Sequence, residues 1–412
     1  MLKWFPCEMH CHTLHSDGKF TVESLMQTAK EYGLSGIALT DHNTVSGWDE
    51  ITEEREKKYV SVLKGIEWTT FFGHMLVTDC KEFVDWRDAV PDNIDEKIAE
   101  VKKRGGMVGI AHPYELGSPM CTGCFWDYHV KKWENVDYIE VWSKPFPPSK
   151  SANERAFSLW TGLLDKGYHL AATYGKDWHK KSDETEPYGC TYIGTESEML
   201  TGAEIKKAVQ NGRTSITMGP LIALTAQRSE AEYNVGDVLE EGKAKIKIEV
   251  FPNTRKEHWE KFNITLESVR LIRNGRQTVF ESKVLCTLPL KNKNTPCKTQ
   301  KAAVKNKPLQ QLFNVQSKFL SHPCSAAYMK PLAVAAYKAE HIFFYDIIFD
   351  NRIKTAVLIH LVKIEIAQAY YSTVVAFNLF TVATRIFSVI GAFAADVITA
   401  ASQKNLAAVF QI

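Results

Sequence analysis

Residues 92–112, DNIDEKIAEVKKRGGMVGIAH, read as one helix running into one strand. An Asp suited to N-capping opens the helix, and cations followed by Gly close it, which complements the helix dipole at both ends. The strand GMVGIAH (106–112) follows at once. Outward from this unit the same alternation recurs. SLMQTAKEYGL (24–34) is a helix stopped at Gly33, followed by the strand SGIALT (35–40). VDYIEVW (136–142) is a strand, ANERAFSLWTGLLDKG (152–167) a helix and YHLAATYGKD (168–177) the strand after it. Repeated strand-helix units from residue 8 to about 180 predict an α/β domain with parallel strands.

The chain has 412 residues, which at roughly 100–200 residues per domain predicts two or three domains. A helix in GAEIKKAVQNGRTSITMGP (202–220) ends the first domain, expected at 1–217. Alternating segments such as KAKIKIEVF (243–251) and ITLESVRLIRNGRQTVF (264–280), the latter with an Asn-Gly hairpin signal, predict a small β domain at 218–283. Residues 284–412 form a tail of different character. It holds 14 Lys+Arg against 5 Asp+Glu, leaving 36 basic and 43 acidic residues in 1–283. This tail is expected to take no part in the chemistry and to pack poorly against the rest.

A formal net charge of +2 argues against a dedicated polyanion binder, so nucleic acid is not the expected partner. Nine cysteines, an odd number scattered through the chain, fit a reducing compartment better than a disulfide framework. The start MLKWFPCEMHCHT lacks the pattern of a secretory signal, and the expected location is the cytoplasm. The uncharged stretch Ile366 to Thr384 contains Gln368, Ser372, Asn378 and three threonines, too polar for the membrane to be an expected partner. The sequence does not give the oligomeric state.

Histidines and carboxylates fall at the ends of the predicted strands. His10 and His12 stand at i and i+2, on one face of an extended strand, so that both imidazoles can reach one metal ion. Asp17 follows in a Ser-Asp-Gly loop. Asp41-His42 ends GIALT, Glu67 ends YVSVLKGIE, His74 follows in FFGHMLV, and His112 ends GMVGIAH. Asp177 and His179 repeat the i, i+2 arrangement after LAATYG. A βα barrel gathers its active site where these residues lie.

With these blocks in place (HCHTLHSDG, LTDHNT, GIEWTT, GHMLV, IAHPY and GKDWH) the sequence resembles the PHP (polymerase and histidinol phosphatase) superfamily of metallohydrolases. The longer blocks EWTTFFGHMLV, SPMCTGCFWDY, DYIEVWSKP and TYGKDWH look most like its carbaryl hydrolase-like (CehA/McbA) subgroup. The resemblance covers about residues 1–283. It implies a distorted seven-stranded (βα)7 TIM-like barrel and two or three divalent ions, Zn, Mn or Fe. Carried over, it makes His10, His12, Glu67 and Asp177 ligands of one ion, with Glu67 bridging to a second held by His74 and His112, and Asp17, His42 and His179 holding a third. Glu67, Asp41 and His179 are the residues expected in catalysis, Asp41 by orienting an imidazole or taking a proton. A carboxylate between two cations holds them about 3.5–4 Å apart, close enough to share an activated hydroxide. One departure is Lys176, where the family's G-S-D-x-H motif has a small residue; it steers an anion or points to solvent.

Other candidates are weaker. His15 lies in the metal loop off the i, i+2 register, facing substrate or solvent. Cys121-x-x-Cys124 has zinc-knuckle spacing without a second pair, so free thiols are expected. Arg155 reaches a phosphate or makes a surface salt bridge. His129, His169, His258, His322, His341 and His360 read as structural, and the lysines of 291–307 as solvated. No phosphate-binding glycine loop, dinucleotide fingerprint or serine elbow is present. The expectation is a metal-dependent hydrolase acting on small phosphoesters or nucleotides through a metal-bridging hydroxide. Its rivals are a carbamate or aryl-ester hydrolase, with Tyr114, Trp126, Tyr128 and Trp142 as an aromatic pocket, and a non-catalytic metal-stabilised binding module.

Overall fold

Strand β1 (Lys3–Cys11) becomes fully buried along its second half, where apolar Cys7, Met9 and Cys11 alternate with Glu8 and His10, and His12 follows just past its end. It organises the sheet around it in a computed structural model that describes residues 2–321 apart from 118–122, 182–185, 240–241, 263, 274–276, 284–299, 305–306 and 309–312. Cys121, the 366–384 stretch, His322, His341, His360 and most of the expected tail lie outside the described residues. All described residues belong to the unit Met1–Cys324.

The elements that follow are α1 (Val22–Glu31), β2 (Gly36–Leu39), α2 (Glu53–Lys58), β3 (Ser61–Thr70), β4 (Gly73–Thr78), α3 (Ile94–Lys103) and β5 (Met107–Ile110). Then come β6 (Tyr138–Ser143), α4 (Ser151–Asp165), β7 (Ala171–Gly175), β8 (Cys190–Thr195), α5 (Gly202–Gln210) and β9 (Thr214–Thr217). The strands form one nine-stranded sheet in the order β7-β6-β5-β4-β3-β2-β1-β8-β9. Strands β1, β2 and β3 run parallel, as do β5, β6 and β7. The sheet nearly closes on itself beyond β7, because the Trp178 N–H donates to the His10 carbonyl at 2.9 Å and the His12 N–H donates to the Trp178 carbonyl at 3.0 Å.

This barrel-like sheet differs from the expected seven strand-helix repeats. β4 is antiparallel to both β3 and β5, because two residues, Phe71 and Phe72, join it to β3 and leave no room for a helix. β8 is antiparallel to β1, and β9 to β8. The short strands GIAL, MVGI and AATYG are buried along their whole length, as expected for strands covered on both faces. Asn93 rather than the expected Asp92 stands at the N-terminus of α3, its Oδ1 accepting from the Val90 N–H, while the Asp92 carboxylate pairs with His129. Its Ile94, Ile98 and Val101 pack with Val108 and Ile110 of β5, each fully buried side chain contributing about 1.5–3 kcal/mol.

Past the barrel lie β10 (Leu221–Arg228), β11 (Ala231–Asn234), β12 (Val238–Leu239), β13 (Gly242–Phe251), α6 (Lys256–Trp259), β14 (Ile264–Arg273) and β15 (Gln277–Lys283). β16 (Gln300–Val304), β17 (Lys307–Pro308) and β18 (Phe313–Ser321) complete the described elements. Two antiparallel sheets result, β11-β10-β13-β16 and β15-β14-β18, with β12 paired to β17. Ile222, Leu224, Leu239, Ile246, Ile248, Val269 and Leu271 share their core. β14 and β15 pair as the Asn-Gly signal predicts, and three strands come from beyond residue 283.

Candidate metal centre

The alternation of β1 places Glu8, His10 and His12 on the inner face, and all three are at most 2% exposed. Strand β7 passes close beside them. Gly175 permits this, since a Cβ there would lie 2.5 Å from Glu140 Oε2 and 2.6 Å from His10 Cβ. The chain then turns at Asp177, whose φ of 55° is uncommon for a residue with a side chain. Asn43, His112 and Lys144 also have positive φ, so four of the eight such non-glycine residues among the described ones flank the same site. Local strain of this kind persists where the surroundings fix it, and it concentrates at functional sites.

All nine expected ligands meet. Glu67 is fully buried and stands at the centre. Its Oε2 lies 3.2 Å from His10 Nε2, 3.5 Å from His12 Nε2 and 2.8 Å from His42 Nδ1. Its Oε1 lies 2.9 Å from His74 Nδ1 and 3.2 Å from His112 Nε2. Asp177 Oδ1 is 2.9 Å from His12 Nε2 and 3.6 Å from His10 Nε2. Asp17 Oδ1 lies 3.0 Å from His179 Nε2 and 3.4 Å from His42 Nε2. Three overlapping groups have ligand atoms all within 4.8 Å of one another: His10, His12, Glu67 and Asp177; Glu67, His74 and His112; and His12, Asp17, His42 and His179.

Eight buried atoms of this cluster make no well-oriented hydrogen bond, although several lie 2.8–3.6 Å from a polar neighbour in it: His10 Nε2, both ring nitrogens of His12, Glu67 Oε2, His74 Nε2, His112 Nδ1, Glu140 Oε1 and Asp177 Oδ1. Leaving one such group unsatisfied costs about 1–3 kcal/mol. Imidazole nitrogens and carboxylate oxygens are the donor set that divalent transition metals take, so the residues present fit metal ions. In the protein without metal, burial acts against a charge on His10, yet Glu67, Glu140 and Asp177 outweigh it and hold its pKa well above the ordinary imidazole value. Burial pushes His12 down to about 4. For Glu67 burial acts upward, but the surrounding imidazoles, His10 first, hold the carboxyl well below the usual range.

Several expectations change. Asp41 does not orient an imidazole among the described hydrogen bonds. Its carboxylate accepts from the Thr13 N–H at 2.6 Å, the Thr13 hydroxyl at 2.7 Å and the Ser16 hydroxyl at 2.7 Å, so it holds the loop that carries Asp17. His15 turns to Ser46 and Glu50, each at 2.8 Å. Lys176 is only 7% exposed and does not point to solvent, its ammonium lying 4.6 Å from the Tyr188 ring centroid. Arg155 packs over the Tyr114 ring at 4.2 Å. Of the expected aromatic pocket, Tyr128 is buried, with its hydroxyl 2.7 Å from that of Thr70. His129, His169 and His258 contact Asp92, Gly236 and Glu257.

Two residues of the site were not singled out from the sequence. Glu140, fully buried on β6, lies 2.8 Å from His10 Nδ1 through its Oε2 and fixes that ring, as carboxylates behind metal-binding imidazoles do. Lys144, at the end of the same strand, pairs with Asp177 Oδ2. An acid inside an apolar strand is itself a signal, because burying a carboxylate is costly unless it is paired.

A family model described as PHP domain matches residues 8–107. The chain is 33% identical over 128 residues to an uncharacterized protein of Methanocaldococcus jannaschii, a match covering 28% of this chain and 69% of that protein. The chain belongs to the PHP-domain family. It is also 35% identical over 60 residues to a phosphoribosyl 1,2-cyclic phosphate 1,2-diphosphodiesterase of Eggerthella lenta, covering 15% of this chain and 23% of that enzyme. Among solved structures, a two-domain protein of Bacteroides vulgatus containing a predicted PHP-like metal-dependent phosphoesterase aligns with a TM-score of 0.44 and 16% identity, over 77% of this chain and 96% of that one. Among the described residues of this PHP protein, no helix is long and apolar enough to cross a membrane.

Proposed function

We propose that this PHP protein is a metal-dependent phosphoesterase acting on small phosphoesters or nucleotides. The observation that carries the reading is the division of one buried carboxylate, Glu67, between two sets of imidazoles, with a third group sharing His12. His10, His12, Glu67 and Asp177 would hold one ion, Glu67, His74 and His112 a second, and Asp17, His42 and His179 a third. Divalent ions there would supply an activated water at neutral pH and polarise a phosphoryl oxygen. Zinc, manganese and iron all accept this donor set. The relative from Eggerthella lenta is a phosphodiesterase by name, which supports the phosphoester class.

The chain's own residues do the positioning. Glu140 fixes the His10 ring, and Asp41 fixes the turn that presents Asp17. Lys144, whose side chain is one-third exposed beside Asp177, places a positive charge where an anionic substrate reaches the site. His179, half-buried beside Asp17, has its Nδ1 2.8 Å from the Asp177 carbonyl, which leaves Nε2 turned toward Asp17 and the proposed third ion.

A carbamate or aryl ester is the second reading, and one observation favours it. Leu14, Phe71 and Leu116 are 63%, 73% and 53% exposed on the three loops that follow His12, Glu67 and His112, an apolar rim suited to an aromatic leaving group. A screen of the purified protein with p-nitrophenyl phosphate, bis-p-nitrophenyl phosphate and an aryl carbamate, under Mn, Zn and Fe loading, separates the two. Turnover of a phosphoester that a chelator abolishes supports the proposal. Turnover of the carbamate alone replaces it with the second reading.

A further inference from the structure

We infer that the turn leaving β13 is a working part of the metal centre, in which Arg255 positions the Asp177-Trp178-His179 segment through a stack of aromatic rings. This rests on the metal-dependent reading above. The turn itself is held by Thr254, whose hydroxyl donates to the Phe251 carbonyl at 2.8 Å and accepts from the Leu221 N–H at 2.9 Å. Arg255 follows with φ 49°, in the left-handed region. Its Nε and Nη2 both donate to the Tyr32 carbonyl, at 3.3 and 3.1 Å, just past the C-terminus of α1. A cation at a helix C-terminus is favourable.

From there three rings lead to the ligands. The guanidinium carbon of Arg255 lies 5.8 Å from the Tyr188 ring centroid. Tyr188 stacks on Tyr32 at 5.2 Å with 20° between planes, and Tyr32 stacks on Trp178 at 5.3 Å with 26°. Phe20 closes the far side of Trp178 edge-on at 5.3 Å. Lys176 lies over both Tyr188 and Trp178, at 4.6 and 5.5 Å. Trp178 is 2% exposed.

The main chain of Trp178 bonds the His10 carbonyl and the His12 N–H, and its neighbours are Asp177 and His179. Four of the nine proposed ligands are therefore covalently next to this residue or hydrogen-bonded to its backbone. A shift of the indole moves all four, because packed rings transmit displacement rather than absorb it. Arg255 touches none of the ligands and acts as a positioning residue. The ligand segment of the barrel is thus braced from a turn of the small β domain.

The test uses the full chain with Arg255→Ala, Arg255→Lys and Tyr188→Leu. Bound metal is counted by elemental analysis after dialysis, its release rate to a chelator is followed, and the metal-free proteins are melted alongside. Arg255→Ala and Tyr188→Leu are expected to retain at least one equivalent less than wild type and to release the rest about tenfold faster, the scale of losing an outer support of a metal ligand. Their metal-free melting points should stay within a few degrees of wild type. Arg255→Lys, which keeps a cation at the Tyr32 carbonyl, should fall between. A wild type that holds its ions, with variants that hold the same number and release them at the same rate, overturns the inference whatever the melting points do. A wild type that binds no metal overturns the metal-dependent reading and this inference together. Should Arg255→Ala fail to fold, Tyr188→Leu and Arg255→Lys still decide it.

Discussion

The two ends of the barrel use ionisable side chains to opposite effect. At the C-terminal end of the parallel strands, imidazoles and carboxylates are buried against one another and eight of their polar atoms make no well-oriented hydrogen bond. At the other end a groove lined by Lys81, Glu82, Glu100, Lys103, Arg104 and Gly105 holds charges in solvent. There Arg104 pairs with Glu100 at 2.7 Å, and Lys206 with Asp79 at 2.8 Å. Solvated charges satisfy each other or water at little cost, whereas a dense buried cluster with poorly oriented contacts is costly unless something else binds it. On the proposed reading the difference marks the end that does the chemistry, and it can be broken by experiment.

Removing bound metal is expected to have the largest effect. Exhaustive chelation leaves the buried cluster unsatisfied and should abolish hydrolysis and lower the melting temperature, with recovery on adding Mn, Zn or Fe. An unchanged melt and intact turnover after chelation would contradict the contrast between the ends. Next in size is Asp177→Asn, which removes the charge facing His10 and His12. It should lower kcat/KM by at least about 10²-fold, because small misplacements at a reacting centre cost that much. Elemental analysis of the same sample should show fewer ions.

Glu140→Gln probes a residue one step back from the ions. Losing the carboxylate behind His10 should weaken metal affinity by about 10–100-fold while leaving the fold intact. Titration of the metal-free variant measures this, and wild-type affinity would show that Glu140 only fills space. The pH dependence has a definite sign. Although burial opposes it, neighbouring carboxylates raise the pKa of His10, His42 and His112 above the ordinary value in the metal-free protein. Those protons must leave before metal binds, so affinity should rise with pH above about 6.5. Without metal the sign reverses, since raised imidazole pKa values contribute stability that is lost as pH rises through them. Calorimetry of loading in buffers of different ionisation heat counts the protons released, and a count of zero at pH 7 contradicts the shifts.

What could be read from the sequence divides along the range of the signal. The pairing of His10 with His12, and of Asp177 with His179, depends on a side-chain period of two along an extended chain, which is local and visible. The strand-helix alternation through β7 is local in the same sense. Glu140 and Lys144 became meaningful only when β6 and β7 were seen side by side, with Gly175 letting His10 and Glu140 meet. That is a property of strand order, on which the composition of DYIEVWSKP is silent. Asp41 adjoins His42 in the chain, yet among the described hydrogen bonds its carboxylate accepts from Thr13 and Ser16, contacts that the sequence does not show. In the sequence the β3–β4 hairpin gives only two separate signals, Glu67 and then His74, because Phe71-Phe72 carries little of the turn chemistry that announces a hairpin. The brace from Arg255 spans 223 residues to Tyr32 and had no local signature.

The smallest expected effect lies at the other end of the barrel. Glu100→Gln removes the i,i+4 partner of Arg104 on α3, where both side chains are about one-third exposed. An exposed pair of this kind is worth about 0.2–1 kcal/mol, because water screens the charges and two long side chains lose freedom in holding one geometry. Arg104 also keeps its bond to the Phe83 carbonyl in the variant, which softens the loss further. Urea melts at low salt should therefore show a destabilisation under about 1 kcal/mol. Repeating them at about 1 M salt, where the screening length shrinks to roughly 3 Å, should shrink it again. Metal content and turnover should match wild type, since neither residue reaches the ligand cluster. If Glu100→Gln instead cost several ions or a large part of the activity, the groove would be coupled to the metal centre through β5 and His112, and the functional asymmetry between the two ends would fail.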